Sequence, residues 1–221
     1  TVVITDPQNV SYTLNGQNPE KYLSKATKVA GTENWFDEEI CFEAGVDNLY
    51  GEIRYSIDGG KSYKTVKGRS FTIRNTEIQN YTFYFCDEEK NISSKNLEGN
   101  AGYGEIKNIA VDTAAPVWNS KLSVDKKASE HSTDSISYFP EEVTLTAHTG
   151  DMPGSKERVD LASGVDKVEV YYIDRNETKV IDIPLDDRYK DAYDLVLSDN
   201  DIYGRIRFTA VDYLGHRSEA A

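Results

Sequence analysis

The sequence predicts an all-β protein made of two tandem β-sandwiches, and three observations carry that expectation. Tyrosine is abundant, 15 residues in 221, against a single methionine; Tyr, Val, Ile and Thr fit pleated, half-buried surfaces, and no Leu-rich helical heptads compete with them. Short stretches alternate apolar and polar residues, with turn residues between them at intervals of roughly ten positions, the spacing of a sandwich. The chain also repeats itself, and internal repeats decide architecture before any local propensity does.

The repeat orders the elements. WFDEEICFEAG (35–45) aligns with YFPEEVTLTAHTG (138–150). Ile40, Phe42 and Ala44 then match Val143, Leu145 and Ala147 on the inward side, and Cys41 and Glu43 match Thr144 and Thr146 on the outward side. Next come VDNLYGEIRYSIDGG and VDLASGVDKVEVYYID, each a loop holding Asp and Gly followed by an alternating strand. RSFTIRN and AYDLVLSD supply a further strand to each half. YTFYFCDEEKNIS (81–93) aligns with IRFTAVDYLGHRS (206–218), so that Tyr81, Phe83 and Phe85 match Ile206, Phe208 and Ala210, and Asp87 matches Asp212. A strand alternating in this way must bury its apolar side against a second sheet. Between the halves lies NIAVDTAAPVW (108–118), a strand end, a short hinge and a new strand. Proline there cannot donate to a ladder and stiffens the connection. The expected domains are 1–112 and 113–221.

Composition narrows the function. A net charge of −13 replaces counterion release by repulsion and disfavours a nucleic-acid backbone as partner. It fits a soluble extracellular module, and also one that binds cations. No apolar run approaches the ~18–20 residues of a membrane helix, so no membrane insertion is expected. The opening TVVITDP reads as a strand, and the segment is expected to continue a longer chain.

The cadence VYYID followed by FTAVDYLGH, together with the interdomain VDTAAP, resembles the bacterial immunoglobulin-like (Big-type) domains of cell-surface and secreted proteins. In that family the sixth strand commonly ends in Asp, two variable residues, Gly, then Asn; here it reads Asp212-Tyr-Leu-Gly215-His216, decayed to Asp87-Glu-Glu-Lys-Asn91 in the first half. The loop before the third strand carries Asp-x-x-Ser-Gly-Val in the family, here Asp160-Leu-Ala-Ser163-Gly164-Val165, decayed to Asp47-Asn-Leu-Tyr-Gly51. The resemblance implies two immunoglobulin-like β-sandwiches in an elongated, secreted or wall-attached protein of Gram-positive type. Such domains act as non-catalytic spacers or adhesion modules. Their partners would be neighbouring domains of the same chain and a host or cell-wall protein or glycan. The alternative is an accessory glycan-binding region of a secreted carbohydrate-active enzyme.

Cys41 and Cys86 fall on the strands that carry the cross-sheet disulfide of immunoglobulin domains. Alternation opposes a bridge: with Phe42 and Phe85 inward both thiols point outward, on sheets roughly 10 Å apart, so two unpaired thiols are expected. YSIDGGKSYK (55–64) resembles the Asp-box of sialidases, where Asp58 would accept N–H bonds in a hairpin turn. His131, His148 and His216 have no hydrolase or zinc motif around them. The pairs Glu38-Glu39 and Glu141-Glu142 recur at the same place in both halves, which argues for structure rather than a glycosidase dyad. Catalysis is not expected.

The aspartates carry the sharper expectation. In an immunoglobulin-type sandwich the loop before the third strand and the loop after the sixth share one pole, where the chain also enters. Asp112, Asp160 and Asp212 should meet there and could hold an interdomain Ca2+, which takes six to eight oxygen ligands. Asp166 and the carbonyls of 113–115 could complete the set, and Asp6, Asp47 and Asp87 repeat the arrangement in the first half. The plainer reading is that these aspartates make turns and accept loop N–H bonds. Two insertions, SSKNLEGNAGYGE (93–105) and HTGDMPGSKERVD (148–160), distinguish the halves. Glycine-flanked Tyr103 in the first is the candidate contact for a glycan or protein ligand, since long loops on rigid sandwiches carry binding.

Overall fold

A computed structural model describes residues 8–47, 51–59, 61–74, 76–86, 103–118, 122–133, 137–139, 142–151, 162–190, 192–197 and 205–220. The chain divides into two compact units, Thr1–Thr113 and Ala114–Ala221.

In the first unit, β1 (Gln8–Leu14), β4 (Ile40–Asp47) and β7 (Ser70–Ile73) form one sheet in the order β1-β4-β7. The second sheet holds β2 (Thr27–Val29), β3 (Glu33–Phe36), β5 (Glu52–Ser56), β6 (Lys64–Val66), β8 (Thr76–Cys86) and β9 (Tyr103–Val111). Its order is β2-β3-β9-β8-β5-β6. All pairings are antiparallel except β3 with β9, where Asn34, Trp35 and Phe36 run parallel to Ile109, Ala110 and Val111.

Alternation places Ile40, Phe42 and Ala44 of β4 inside, together with Ile53, Tyr81, Phe83, Ile106, Ile109 and Val111. The centre is aromatic. Phe42 and Phe83 are fully buried and stack with ring centroids 3.7 Å apart, and Tyr12 stacks on Phe42 at 5.2 Å.

One helix, α1 (Pro19–Leu23), interrupts the strands, and the sequence pattern does not predict it. Asn18 caps it by accepting from the N–H groups of Glu20 (3.0 Å) and Lys21 (3.3 Å), and Pro19 is pre-set for the first turn. Five residues are too few to show a helical period. The helix delivers Tyr22 to the core, stacked on Phe36 at 5.0 Å. The Tyr22 hydroxyl accepts from Asn15 (3.1 Å) and donates to Glu38 (2.9 Å). Burial, then the Glu38 carboxylate, pushes its pKa far up.

The second unit repeats the central pairings with smaller side chains. β11 (Ser123–Val124), β12 (Val143–Ala147) and β16 (Tyr193–Leu197) form one sheet. β14 (Val165–Tyr172), β15 (Glu177–Asp182) and β17 (Ile206–Asp212) form another, in the order β15-β14-β17. A short ladder joins β10 (Val117–Trp118) to β13 (Thr149–Gly150). The aligned segments of the two halves do the same work: β4 pairs β7 as β12 pairs β16, and β5 pairs β8 as β14 pairs β17. Here the core is aliphatic, Val143, Val165, Val168, Val170, Ile183 and Ala210 around Phe208 and Tyr193. The Tyr193 hydroxyl donates to the backbone carbonyls of Asp187 (3.2 Å) and Arg188 (3.3 Å). Both units are all-β and sandwich-like.

Candidate functional site

One pole of the second unit gathers its buried polar groups. Gly164 opens β14 with φ +92°, and a Cβ there would stand 2.7 Å from Arg188 Cγ, so both conformation and space require glycine. The Gly164 carbonyl accepts from the N–H of Tyr213 (3.2 Å), and Val165 pairs with Asp212. The loop before β14 and the loop after β17 therefore share this pole. Asp151, just past β13, reaches the same place: its Oδ2 accepts from the N–H of Gly164 (2.8 Å) and the hydroxyl of Ser163 (3.3 Å).

Asp212 builds the turn that follows it. Its Oδ1 accepts from the N–H groups of Leu214 (2.9 Å) and His216 (2.8 Å), and its Oδ2 lies 2.7 Å from His216 Nδ1. Gly215 supplies the positive φ (88°) that the turn needs. Asp151 and Asp212 are 2% and 1% exposed, and each brings a carboxylate oxygen within 4.8 Å of the other's. Two desolvated carboxylates so close repel, and only hydrogen-bond donors or cations make that arrangement affordable. The N–H groups, Ser163 and His216 supply part of that compensation. Carboxylate oxygens so placed are donors of the kind a hard cation prefers.

Both uses of aspartate that the sequence offers, turn-making and oxygen donation, thus apply to Asp212. Asp160 lies outside the described residues, as do Asp6 and Asp87; of Asp47 only its place as the last residue of β4 is described. Asp112 is buried within the first unit, its N–H donating to the Phe36 carbonyl at 3.0 Å. Asp166 sits half-buried at the bulge between Val165 and Lys167. Burial, and secondarily the nearby Asp182, raises its pKa, with Lys167 opposing. Sequence reasoning missed Asp151. The available signal was its position one residue after the repeated strand, masked because 148–160 was read as a single long insertion.

The other motifs fall into structural roles. Asp58 Oδ1 accepts from the N–H groups of Lys61 (3.0 Å) and Ser62 (2.9 Å) and from the Ser56 hydroxyl (2.8 Å), while the Ser62 hydroxyl donates to Oδ2 (2.5 Å). These bonds, led by the Ser62 hydroxyl, hold its carboxyl well below the usual range. Glu39 pairs with Arg74 at 2.8 Å, and Glu38 holds Tyr22, so the first acidic pair is structural. Glu141 lies outside the described residues. Cys41 is a free, exposed thiol on the outward side of β4. Tyr103 is the first residue of β9, in register with Tyr84, rather than part of a loop.

Fold and site together define an all-β chain of sandwich-like units with one buried acidic pole. No family model matches the chain, and no curated protein matches it. Among solved structures it is similar to the FN1-FN3 domains of chicken CNTN1, at 11% identity and a TM-score of 0.32. The match covers 85% of this chain and 59% of that one, so the chain spans under two thirds of the neighbour's length. Among the described residues no helix is long and apolar enough to cross a membrane.

Proposed function

We propose that the chain is a non-catalytic spacer and adhesion module of an extracellular bacterial surface protein, secreted or attached to the wall. The supporting observation is the duplicated sandwich. The same strands pair in both units and the same aligned positions face inward. Repetition of a compact unit along one chain multiplies outer surface, which suits an adhesion module. Its net charge of −13 keeps such a surface soluble.

The reading includes a Ca2+ ion at the acidic pole. Asp151 and Asp212 would supply carboxylate oxygens. Carboxylates and loop carbonyls are the donor set that calcium prefers. The test of the main reading is protease shaving of intact source cells followed by mass spectrometry. Peptides of this chain should be released from the cell surface or found in the medium. Their confinement to the cytosolic fraction would overturn it.

A further inference from the structure

We infer that the β5–β6 hairpin and β6 edge of the first unit's six-stranded sheet form a binding site for an acidic polysaccharide. The first observation is a local reversal of charge. From Gly59 to Thr76 the chain carries five cations, Lys61, Lys64, Lys67, Arg69 and Arg74, and no acid, within a protein of net charge −13. Lys61, Lys64 and Lys67 are exposed, and among the described residues their ammonium groups form no ion pair. Lys64 opens β6, and Lys61 and Lys67 lie three residues to either side of it, in the turns that flank the strand. At physiological salt, charges beyond about 8 Å are largely screened, so a polymer on this edge meets the lysines rather than the net charge.

The second observation is aromatic and independent of charge. Tyr63 lies between Lys61 and Lys64 and is half-buried, its ring set edge-on to Tyr84 at 5.1 Å and 84°. Tyr84 lies on the side of β8 opposite inward-facing Phe83 and is itself buried, 9% exposed, so Tyr63 is the ring this edge presents. Register sets Arg54 of β5 beside Thr65 of β6 and Tyr84 of β8, and Arg54 pairs with Glu52 at 2.8 Å. Tyrosines offer an apolar face and a polar tip at low entropic cost, which suits the alternating C–H and hydroxyl surface of a sugar ring. Lysine, a compact point charge on a flexible stem, suits an anion presented without fixed planar geometry. Nucleic acid fits less well, since its charges are denser than three spaced lysines match.

The inference deepens the adhesive part of the reading above and rests on it only for where such a polymer is met. A binding measurement therefore stands or falls separately from the shaving experiment. The full chain would be titrated by calorimetry with polygalacturonate and heparin, which distinguish a carboxylated from a sulfated ligand. Neutral xylan, polyphosphate and polyglutamate serve as comparisons. Binding to at least one acidic polysaccharide is expected, with affinity falling roughly 10-fold between 50 and 150 mM salt, as about three ionic contacts require. Lys61→Glu/Lys64→Glu/Lys67→Glu should weaken it by at least about 10-fold and flatten the salt dependence. Tyr63→Leu, which keeps apolar cover over Tyr84, should weaken it several-fold with the salt dependence intact. Thermal unfolding of each variant checks that the unit remains folded. The proposal is overturned by no binding to either acidic polysaccharide, by equal binding of xylan, or by polyphosphate or polyglutamate binding as tightly with Tyr63→Leu silent.

Discussion

Phe42→Ala removes the ring at the centre of the first unit's core. Phe42 is fully buried, stacks on Phe83 at 3.7 Å and on Tyr12 at 5.2 Å, and meets Phe71 at 6.0 Å. Truncating a buried Phe costs about 3–5 kcal/mol, combining lost transfer energy with the cavity left behind. Three aromatic partners, each worth about 0.5–1.5 kcal/mol beyond area, place this site toward the upper end. Against a domain stability of about 5–15 kcal/mol, a loss of about 4 kcal/mol lowers Tm by roughly 15–30 °C. Differential scanning calorimetry of the full chain, with urea unfolding alongside, measures it; the urea m-value should not change. Phe42→Leu, which keeps most of the volume and loses the stack, should cost about 1.5–3 kcal/mol, less than Phe42→Ala. A Phe42→Ala cost below about 1.5 kcal/mol, or one equal to that of Phe42→Leu, would refute the ring as the core's centre.

Two further outcomes concern the second unit. In 10 mM Ca2+ against EDTA, the proposed ion should raise its stability by about 1.4–2.7 kcal/mol if the site has the 10⁻⁴–10⁻³ M affinity usual for extracellular modules. Asp151→Asn should abolish that rise, and a Tm unmoved by Ca2+ would remove the ion from the reading. Asp166 has a folded pKa raised above its ordinary value of 3.8. Its charged form is therefore disfavoured in the fold, and stability drops as pH climbs from 3.8 through the raised value and stays lower at neutrality. Asp166→Asn, measured in EDTA, should raise the urea midpoint at pH 7 and leave it nearly unchanged at pH 3; the opposite ordering would contradict burial as the cause.

The strands were legible because burial in a sheet has period two, and Ile40, Phe42, Ala44 and Val143, Leu145, Ala147 display it directly. The shared pole of the second unit was legible from Asp212 and Gly164, whose turn chemistry is local. What escaped was non-local or brief. Helix α1 rests on one Asn18 cap and one buried Tyr22, too little sequence to show a period. Asp151 joins the pole through the N–H of Gly164, 13 residues away, and no spacing rule marks such a contact. The edge-on contact of Tyr63 with Tyr84 likewise joins residues 21 positions apart.

The parallel pairing of β3 with β9 bears on how the first unit would carry load. A chain tethered at one end and pulled at the other draws β3 toward its start and β9 toward its finish. Because the two strands run in the same direction, those pulls slide them past one another along their length. The bonds joining Asn34–Phe36 to Ile109–Val111 are then strained together, in shear, instead of opening one at a time like a zip. Phe36, Ile109 and Val111 of this seam are also core residues, so shear there acts on packed side chains and ladder bonds together.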